Sequence, residues 1–284
     1  MSKVAIHPLF YIIFLFAVLH GFIYELLLLF IIVIIHELGH VCTALSLGWR
    51  VKKVELLPFG GVAEVEEHGN KAPREEGWVI IAGPLMNVIM VAVALFCLQW
   101  GWWSPSFSYQ FIEYNLIILI FNLLPIWPLD GGKLLQLGLS LYVPYKKAIQ
   151  HSLLVSGGCF VFYVLVVLIF FPSYFSLWVM AVFLFISQWM EWKQVPYQFM
   201  RFLLERQKQH HNREVFKDRD ILSVTLFPQH SIKEALEQMF RHKHHYFCVI
   251  TPAGKVDQVI TEQELLHCFF NGCGGNRTVG EIFR

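Results

Sequence analysis

The sequence predicts a polytopic α-helical membrane protein with six spans, a small membrane-associated β-hairpin and a C-terminal cytoplasmic α/β domain. Of its 284 residues, 56% are hydrophobic and 15% are charged, whereas soluble domains are about a quarter charged. The mean hydropathy is +0.53. Long apolar runs fill the chain up to about Trp192, and most charged residues lie in short patches or in the tail. This distribution excludes a single soluble core, and the net charge of +1 gives no reason to expect a nucleic-acid partner.

Six apolar runs are the candidate spans. The first is short for a membrane crossing, which takes about 20 residues. The fourth contains Pro125 and Pro128, and proline breaks the hydrogen-bonding of a helix. The runs are 9–20, 22–47, 78–98, 111–124 continuing to about 141, 153–171 and 174–190.

The charges between the runs predict the orientation. The links at 21, 101–109 and 172–173 contain no charged residue, whereas the other links and the tail are rich in Lys and Arg. Because positively charged loops stay in the cytoplasm, both termini and every charged segment are predicted to be cytoplasmic. The basic residues in those other links are Arg50, Lys52, Lys53, Lys71, Arg74, Lys146 and Lys147.

The second run ends in a candidate metal site, the sequence His36-Glu37-Leu38-Gly39-His40. On a helix, His36 and His40 lie one turn apart on one face, as two imidazoles must to bind one metal ion. Glu37 lies beside them, where it could accept a proton from an attacking water. Ionisable groups in a membrane cost about 3 kcal/mol and are usually functional and partnered. The alternatives are a polar packing cluster or a proton relay.

A tetrahedral zinc needs further ligands, and the fourth run supplies Asp130 after its proline break. The second and fourth runs both pass inward from the outer face. At about 1.5 Å per residue, His36 lies roughly 20 Å and Asp130 roughly 28 Å from the outer end of its run. Both therefore fall past the midplane, and His36, His40 and Asp130 are the predicted metal ligands. The alternative for Asp130 is the N-cap of a resumed helix.

Two motifs together carry a family resemblance. HExxH in one span, with N-x-x-P-x-x-P-x-D-G at 122–131 in a later one, resembles the site-2 protease family of intramembrane zinc metalloproteases. Segments 57–61 and 82–87 resemble further family elements, and the resemblance covers nearly the whole chain. It implies one zinc held by His36, His40 and Asp130, with Glu37 as general base and later general acid.

Segments 57–61, 64–70, 122–133 and 201–206 resemble the sporulation members of the family. This resemblance implies that the substrate is a sigma-factor precursor, pro-sigma-K, cleaved near the cytoplasmic face of the mother-cell membrane around the forespore. It also implies membrane-embedded inhibitory partners. The alternatives are a site-2 protease with another membrane substrate, or an ion or metal transporter that uses the His/Glu/Asp cluster. Transporters often contain paired broken helices, and only one run here is strongly broken.

Substrate contacts are predicted in two places. Segments 51–57 and 61–66 alternate like two strands of a hairpin, and an exposed strand edge could bind an extended substrate by strand addition. Polar residues in the spans could bind its backbone. The alternatives are a hairpin without a substrate role and ordinary polar contacts between helices. The candidate substrate-binding residues are Phe59, Gly60, Gly61, Asn87 and Asn122.

The tail completes a division into 1–192, a linker or interfacial helix at 193–219, and a domain at 220–284. Strands are predicted at 221–227, 246–251 and 256–260. Capping boxes at 231–234 and 261–264 predict helices that extend to about His242 and Phe270. This order resembles one cystathionine-β-synthase (CBS) repeat, with Glu264 where the family has Asp. The resemblance implies an ATP site and self-association, because such repeats pack in pairs.

Overall fold

A computed structural model describes residues 3–6, 18, 21–49, 51–57, 60–65, 72–210, 221–250, 256–273 and 277–282. The helices within these residues are α1 (Ile23–Ser46), α2 (Pro73–Gln99), α3 (Pro105–Asn122), α4 (Asp130–Tyr142), α5 (Tyr145–Phe170), α6 (Phe175–His210), α7 (Ile232–Glu237), α8 (Glu262–Cys268) and α9 (Val279–Ile282). The strands are β1 (Lys3–Ile6), β2 (Val51–Leu57), β3 (Gly60–Val65), β4 (Ile221–Leu226), β5 (His244–Ile250) and β6 (Val256–Thr261). These elements divide into two compact units, separated along the chain between Leu134 and Leu135.

Within the described part of the chain, four helices are long and apolar enough to cross a membrane, namely α1, α2, α5 and the Phe175–Lys208 part of α6. They confirm the second, third, fifth and sixth predicted spans. The fourth predicted run forms α3 and α4, which are separated at 123–129. The first run, at 9–20, lies outside the described residues apart from Val18. The chain is therefore a multi-span membrane protein with four candidate spans.

The core of the first unit lies between α1, α2 and α3. Leu28 and Ile32 of α1 pack with Met90 of α2 and Phe111 of α3. Helices α1 and α2 approach closely because Gly39 has no side chain: a Cβ there would lie 2.8 Å from the carbonyl oxygen of Ala82. Small residues allow such close packing in membranes, where burial of apolar surface does not drive association.

The predicted hairpin is confirmed as β2 and β3, with Leu57 opposite Gly60 and Leu56 opposite Gly61. Strand β1, which was not predicted, pairs with β2 in parallel. The sheet order is β1-β2-β3, so among the described residues β3 pairs with a strand on one side only. Strand β3 also lies close to α1. The hairpin is therefore next to the helix that carries the HExxH motif.

The predicted break in the fourth run is confirmed between Asn122 and Asp130. Tight turns fold the connecting residues, as in the 2.7 Å hydrogen bond from the N–H of Ile126 to the carbonyl of Leu124. The Trp127–Pro128 peptide bond is cis. A Cβ at Gly131 would lie 2.2 Å from the carbonyl oxygen of Leu123. The glycine thus permits the start of α4 to pack against the end of α3.

In the second unit, the side-chain amide of Gln188 on α6 donates to Ser156 Oγ on α5 at 2.7 Å. Helix α6 continues without interruption to His210, through the first part of the predicted linker.

The tail domain forms a three-stranded sheet of order β4-β5-β6, with β4 and β5 parallel and β5 and β6 antiparallel. Both predicted capping boxes are present, at Ser231 and Thr261. Helix α7 is shorter than predicted, because it ends at Glu237. Helix α8 continues directly into a π-helical turn at Phe269–Cys273 whose backbone is helical up to Phe270, so its predicted end at about Phe270 is confirmed. Beyond α7, the carbonyl of Met239 accepts a hydrogen bond from the backbone N–H of Tyr145 at 3.0 Å. After α7, the backbone therefore bonds to a distant part of the chain and not along a continued helix.

A buried group of charges fixes the tail domain to α6. Arg206 is fully buried and donates from Nε to Glu262 Oε1 at 2.5 Å. Its guanidinium also donates to the carbonyl oxygens of Arg241, at 2.8 Å, and Lys243. Glu262 Oε2 accepts from the backbone N–H of His245 at 3.1 Å and lies 3.2 Å from its Nδ1. We call Arg206, Glu262 and His245 the Arg206 cluster.

Burial lowers the pKa of His245, and this outweighs the attraction of the Glu262 carboxylate. The ring accepts from the N–H of Phe240 at Nε2, at 3.0 Å, so the proton of the neutral ring lies on Nδ1, facing Glu262. The cluster is therefore built around a neutral histidine.

Candidate metal centre

The two motif histidines lie on one face of α1, as their spacing predicts. His36 is 2% exposed and His40 is 8% exposed. Their Nε2 atoms are 3.2 Å apart. The helix thus brings two potential metal-binding nitrogens to one buried point.

Asp130 reaches the same point from the first residue of α4. Its Oδ2 lies 3.1 Å from Nε2 of His36 and 3.1 Å from Nε2 of His40. The other oxygen, Oδ1, accepts from Nζ of Lys133 at 3.2 Å. The break before α4 therefore aims one carboxylate oxygen at both histidines, and the predicted convergence of these three residues is confirmed.

Residues of α2 contact the Nδ1 atom of each histidine ring, opposite the Nε2 atoms that face Asp130. His40 Nδ1 lies 2.7 Å from the carbonyl oxygen of Val79, which can only accept, so Nδ1 carries the proton. His36 Nδ1 lies 3.2 Å from Oδ1 of Asn87 and donates to it. In neutral rings that donate in this way, both Nε2 atoms present lone pairs, which is the form that binds a metal.

These distances fit a zinc ion. Two imidazole lone pairs and a carboxylate oxygen cannot hydrogen-bond to one another, yet they lie 3.1–3.2 Å apart. A tetrahedral zinc with bonds of about 2.0–2.1 Å separates its ligand atoms by about 3.3 Å. Two histidines and one carboxylate also leave a fourth position open, as in catalytic zinc sites. Among the described residues, this is the one group of three or more His, Cys, Asp or Glu side chains placed to hold a metal.

The space for an ion depends on Gly83 of α2. A Cβ at this position would lie 2.1 Å from Nε2 of His40 and 2.7 Å from Nε2 of His36. Any larger residue would therefore occupy the place where a bound metal must lie. The missing side chain of Gly83 leaves a space beside the two Nε2 atoms that a methyl group would fill.

The remaining predicted site residues are more scattered. Glu37 is half-buried on α1 beside His36, and Asn122 is partly exposed at the end of α3. Gly60 and Gly61 begin β3. Asn87 is fully buried and contacts His36. Phe59 lies outside the described residues.

Sequence reasoning missed three contributors to the centre, namely the carbonyl of Val79, Gly83 and Lys133. A signal was present in α2, because Val79, Gly83 and Asn87 are spaced four residues apart and so share one face of the helix. Lys133 lies three residues after Asp130, within reach on the same helix.

Comparison with known proteins decides the family. The family model described as Peptidase family M50 matches residues 24–105 and 97–165. Stage IV sporulation protein FB of Bacillus subtilis (strain 168) is 39% identical over 291 aligned residues, which cover 99% of this chain and 96% of that protein. The chain belongs to the site-2 protease family, peptidase family M50.

Two further similarities cover part of this protease. A zinc metalloprotease of Methanocaldococcus jannaschii is 38% identical over 126 residues, or 43% of this chain and 36% of that protein. The solved structure of a site-2 protease from the same organism superposes with a TM-score of 0.55 at 27% identity, covering 66% of this chain and 89% of that one. The chain is thus an intramembrane zinc metalloprotease similar to stage IV sporulation protein FB, and its His36, His40 and Asp130 cluster provides the metal centre.

Proposed function

We propose that this protease activates a sporulation sigma-factor precursor, pro-sigma-K, by cutting it near the cytoplasmic face of the membrane. The observation that carries this substrate assignment is the similarity to stage IV sporulation protein FB, which extends over nearly the full length of both chains. Shorter matches to other zinc metalloproteases support the reaction but not the substrate.

Glu37 is the proposed general base and general acid. His36, His40 and Asp130 would hold the zinc ion, which when bound would act as a Lewis acid that polarises the scissile carbonyl and makes water more acidic. Glu37 accepts a proton from the attacking water and later delivers it to the departing amine, so that one water is consumed for each peptide bond. Its place beside His36 on α1 supports this role.

The hairpin is the proposed substrate-binding edge. A helical substrate must unwind before cleavage, because its carbonyl groups are hydrogen-bonded along the helix. An extended segment paired with β3 would keep its backbone groups bonded. Gly60 and Gly61 in β3, and Phe59 before them, are the proposed hairpin contacts, with Asn122 as a polar contact at the end of α3.

The test is co-expression with pro-sigma-K in a non-sporulating host, with precursor size measured by immunoblot. We expect cleavage by the native chain and none by Glu37→Gln, which should still bind zinc. Cleavage with both variants would assign the activity to a host protease. Stable precursor with the native chain would reject this substrate. Asp130→Asn should lose zinc, and full zinc occupancy in that variant would remove Asp130 from the ligand set.

The proposed topology has six spans with both termini in the cytoplasm, in the mother-cell membrane around the forespore. Charge-free links on one side and basic links on the other support the orientation. Reporter fusions at each terminus test it: an enzyme active only outside the cytoplasm should be inactive at both ends, and activity at either end would overturn the topology.

We further propose that residues 220–284 form a CBS-like regulatory domain after a membrane domain at 1–192 and a connecting segment at 193–219. The strand-helix-strand-strand-helix order, with β4 and β5 parallel, supports this assignment. It would bind ATP and join two or more copies of the chain, and membrane-embedded inhibitors are further proposed partners. Calorimetry of the full chain with ATP and light scattering in detergent test both properties; no heat and a monomeric mass would reject them.

A further inference from the structure

The two histidines of the metal centre are held in the metal-binding form by different means. His40 donates to the backbone carbonyl of Val79, a partner that survives any substitution of the Val79 side chain. His36 donates to the side chain of Asn87 at 3.2 Å. At Nδ1, on the side away from Asp130, His36 is therefore held by a side chain and not by the backbone.

The orientation of the Asn87 amide decides which ring nitrogen of a neutral His36 carries the proton. If its NH₂ group faced His36, Nδ1 would have to accept, and the proton would move to Nε2. A protonated Nε2 cannot bind a metal and would point at the centre. With Oδ1 facing the ring, Nδ1 donates and Nε2 is free to ligate, and this is the arrangement in the structure.

This orientation has a cost that is visible in the structure. Asn87 is 0% exposed, and its Nδ2 has no hydrogen-bond partner among the residues that the structure describes. Burying a donor without a partner is unfavourable, because its hydrogen bonds to water are lost and not replaced. The hydrogen bond from His36 to Oδ1 explains why an amide side chain occupies this buried position, where its nitrogen forms no hydrogen bond with the described residues.

We propose that Asn87 is a positioning residue that fixes His36 in the orientation and tautomer that bind zinc. Asn87 acts through the contact of its Oδ1 with the metal ligand His36 and does not contact the substrate. The proposal rests on zinc binding by this protease and not on the identity of the substrate. It assigns Asn87 to the metal centre, whereas the sequence suggested a substrate contact.

Two substitutions separate the acceptor oxygen from the size and burial of the side chain. Asn87→Leu removes the acceptor. Asn87→Asp keeps an oxygen facing His36, replaces the unpaired NH₂ with a second oxygen and supplies the carboxylate that often supports zinc-bound histidines. Asn115→Leu is the matched control, because Asn115 is also 0% exposed and has one unpartnered atom, but lies on α3 and donates to Phe111 of its own helix.

The experiment measures zinc affinity of the purified full chain by competition with a chelator, without substrate. The visible spectrum of the cobalt-substituted protein reports ligand geometry. We expect Asn87→Leu to weaken zinc binding about 10–100-fold and to change the cobalt spectrum. Asn87→Asp should bind zinc at least as tightly as the native chain, and Asn115→Leu should match the native chain in both measurements.

Native zinc affinity in a folded Asn87→Leu protein would overturn the proposal. The proposal would also be overturned if Asn87→Asp bound zinc as weakly as Asn87→Leu. If the leucine variant does not fold, loss of zinc binding in Asn87→Asp would overturn it. A residue that only contacts substrate would raise KM and leave the zinc affinity and the cobalt spectrum unchanged. Because no substrate is present, the outcome stands even if pro-sigma-K is not cleaved.

Discussion

Gly83 is the residue whose size decides whether a metal ion can enter the centre. In Gly83→Ala the new methyl group would lie 2.1 Å from Nε2 of His40. We expect zinc content to fall to background and activity to fall more than about 100-fold, which exceeds the usual effect of changing a residue that only contacts a metal ligand. Elemental analysis of the purified variant measures the zinc.

Gly138→Ala is the control for this substitution. It makes the same change in α4, where nothing lies within 4 Å of the new Cβ. Because alanine favours helices over glycine by about 1 kcal/mol, this variant should be at least as stable as the native chain and should keep its zinc. Normal zinc content in Gly83→Ala would contradict the geometry of the centre.

The same residues show how far sequence reasoning reaches. His36 and His40 were predicted because residues four apart lie on the same face of a helix. Asp130 was predicted because the prolines before it indicate a helix break at a similar depth in the membrane. The Val79 contact could not be predicted, since a backbone carbonyl has no residue-specific signal. Gly83 was noticed only as part of a motif, because a glycine in a span has several ordinary uses.

Among the helices and strands, short sequence motifs predicted the boundaries that neighbouring residues determine. The break at 123–129 follows from its prolines, and the capping boxes correctly mark the starts of α7 and α8. Strand β1 was missed because four residues paired in parallel with a distant strand carry no local pattern. The early end of α7 was missed because the residues after it bond to a distant part of the chain, as Met239 does to Tyr145, and such a contact has no local signal.

The contact between α6 and the tail domain leads to a prediction for Arg206. In Arg206→Ala, Glu262 stays fully buried without its cation, and breaking a buried ion pair in this way costs about 3–5 kcal/mol. We expect the opening free energy of β5, measured by hydrogen exchange in the full chain, to fall by that amount.

Arg201→Ala is the matched control on the same helix. Arg201 pairs with Glu205 one turn away, and both side chains are 28% exposed. A partly exposed pair of this kind contributes about 0–1 kcal/mol, so exchange from β5 should change little. Equal, small effects of the two substitutions would show that the Arg206 cluster does not hold the domain.

For the whole molecule, composition and charge patterning predicted a multi-span protein with a tail domain, because membrane insertion imposes long apolar runs. The division into two compact units near Leu134 was not predicted. It follows from packing between elements that are distant in sequence, and no short window of residues encodes such packing.

The attachment of the tail is expected to weaken in acid. The folded-state pKa of His245 is lowered by burial, so folding disfavours its protonated form. The stability is therefore complete above the unfolded pKa of about 6.5 and is lost as the pH falls from there towards the lower folded value. Glu262, Arg206 and His244 are the charged or titratable neighbours that also act on this ring.

Hydrogen exchange of β5 between pH 7.5 and 5.5, corrected for intrinsic exchange rates, measures this dependence. The His245→Gln variant keeps a polar side chain but cannot titrate, so it should lose most of the dependence. If both proteins lose protection equally as the pH falls, another group is responsible.

The most direct test of the central claim is precursor cleavage by the purified chain in liposomes, with zinc removed and then restored. We predict that a chelator abolishes cleavage, and that activity returns in proportion to zinc up to one ion per chain, because one His36, His40 and Asp130 cluster supplies the ligands. Cleavage at the native rate by metal-free protein would contradict the account.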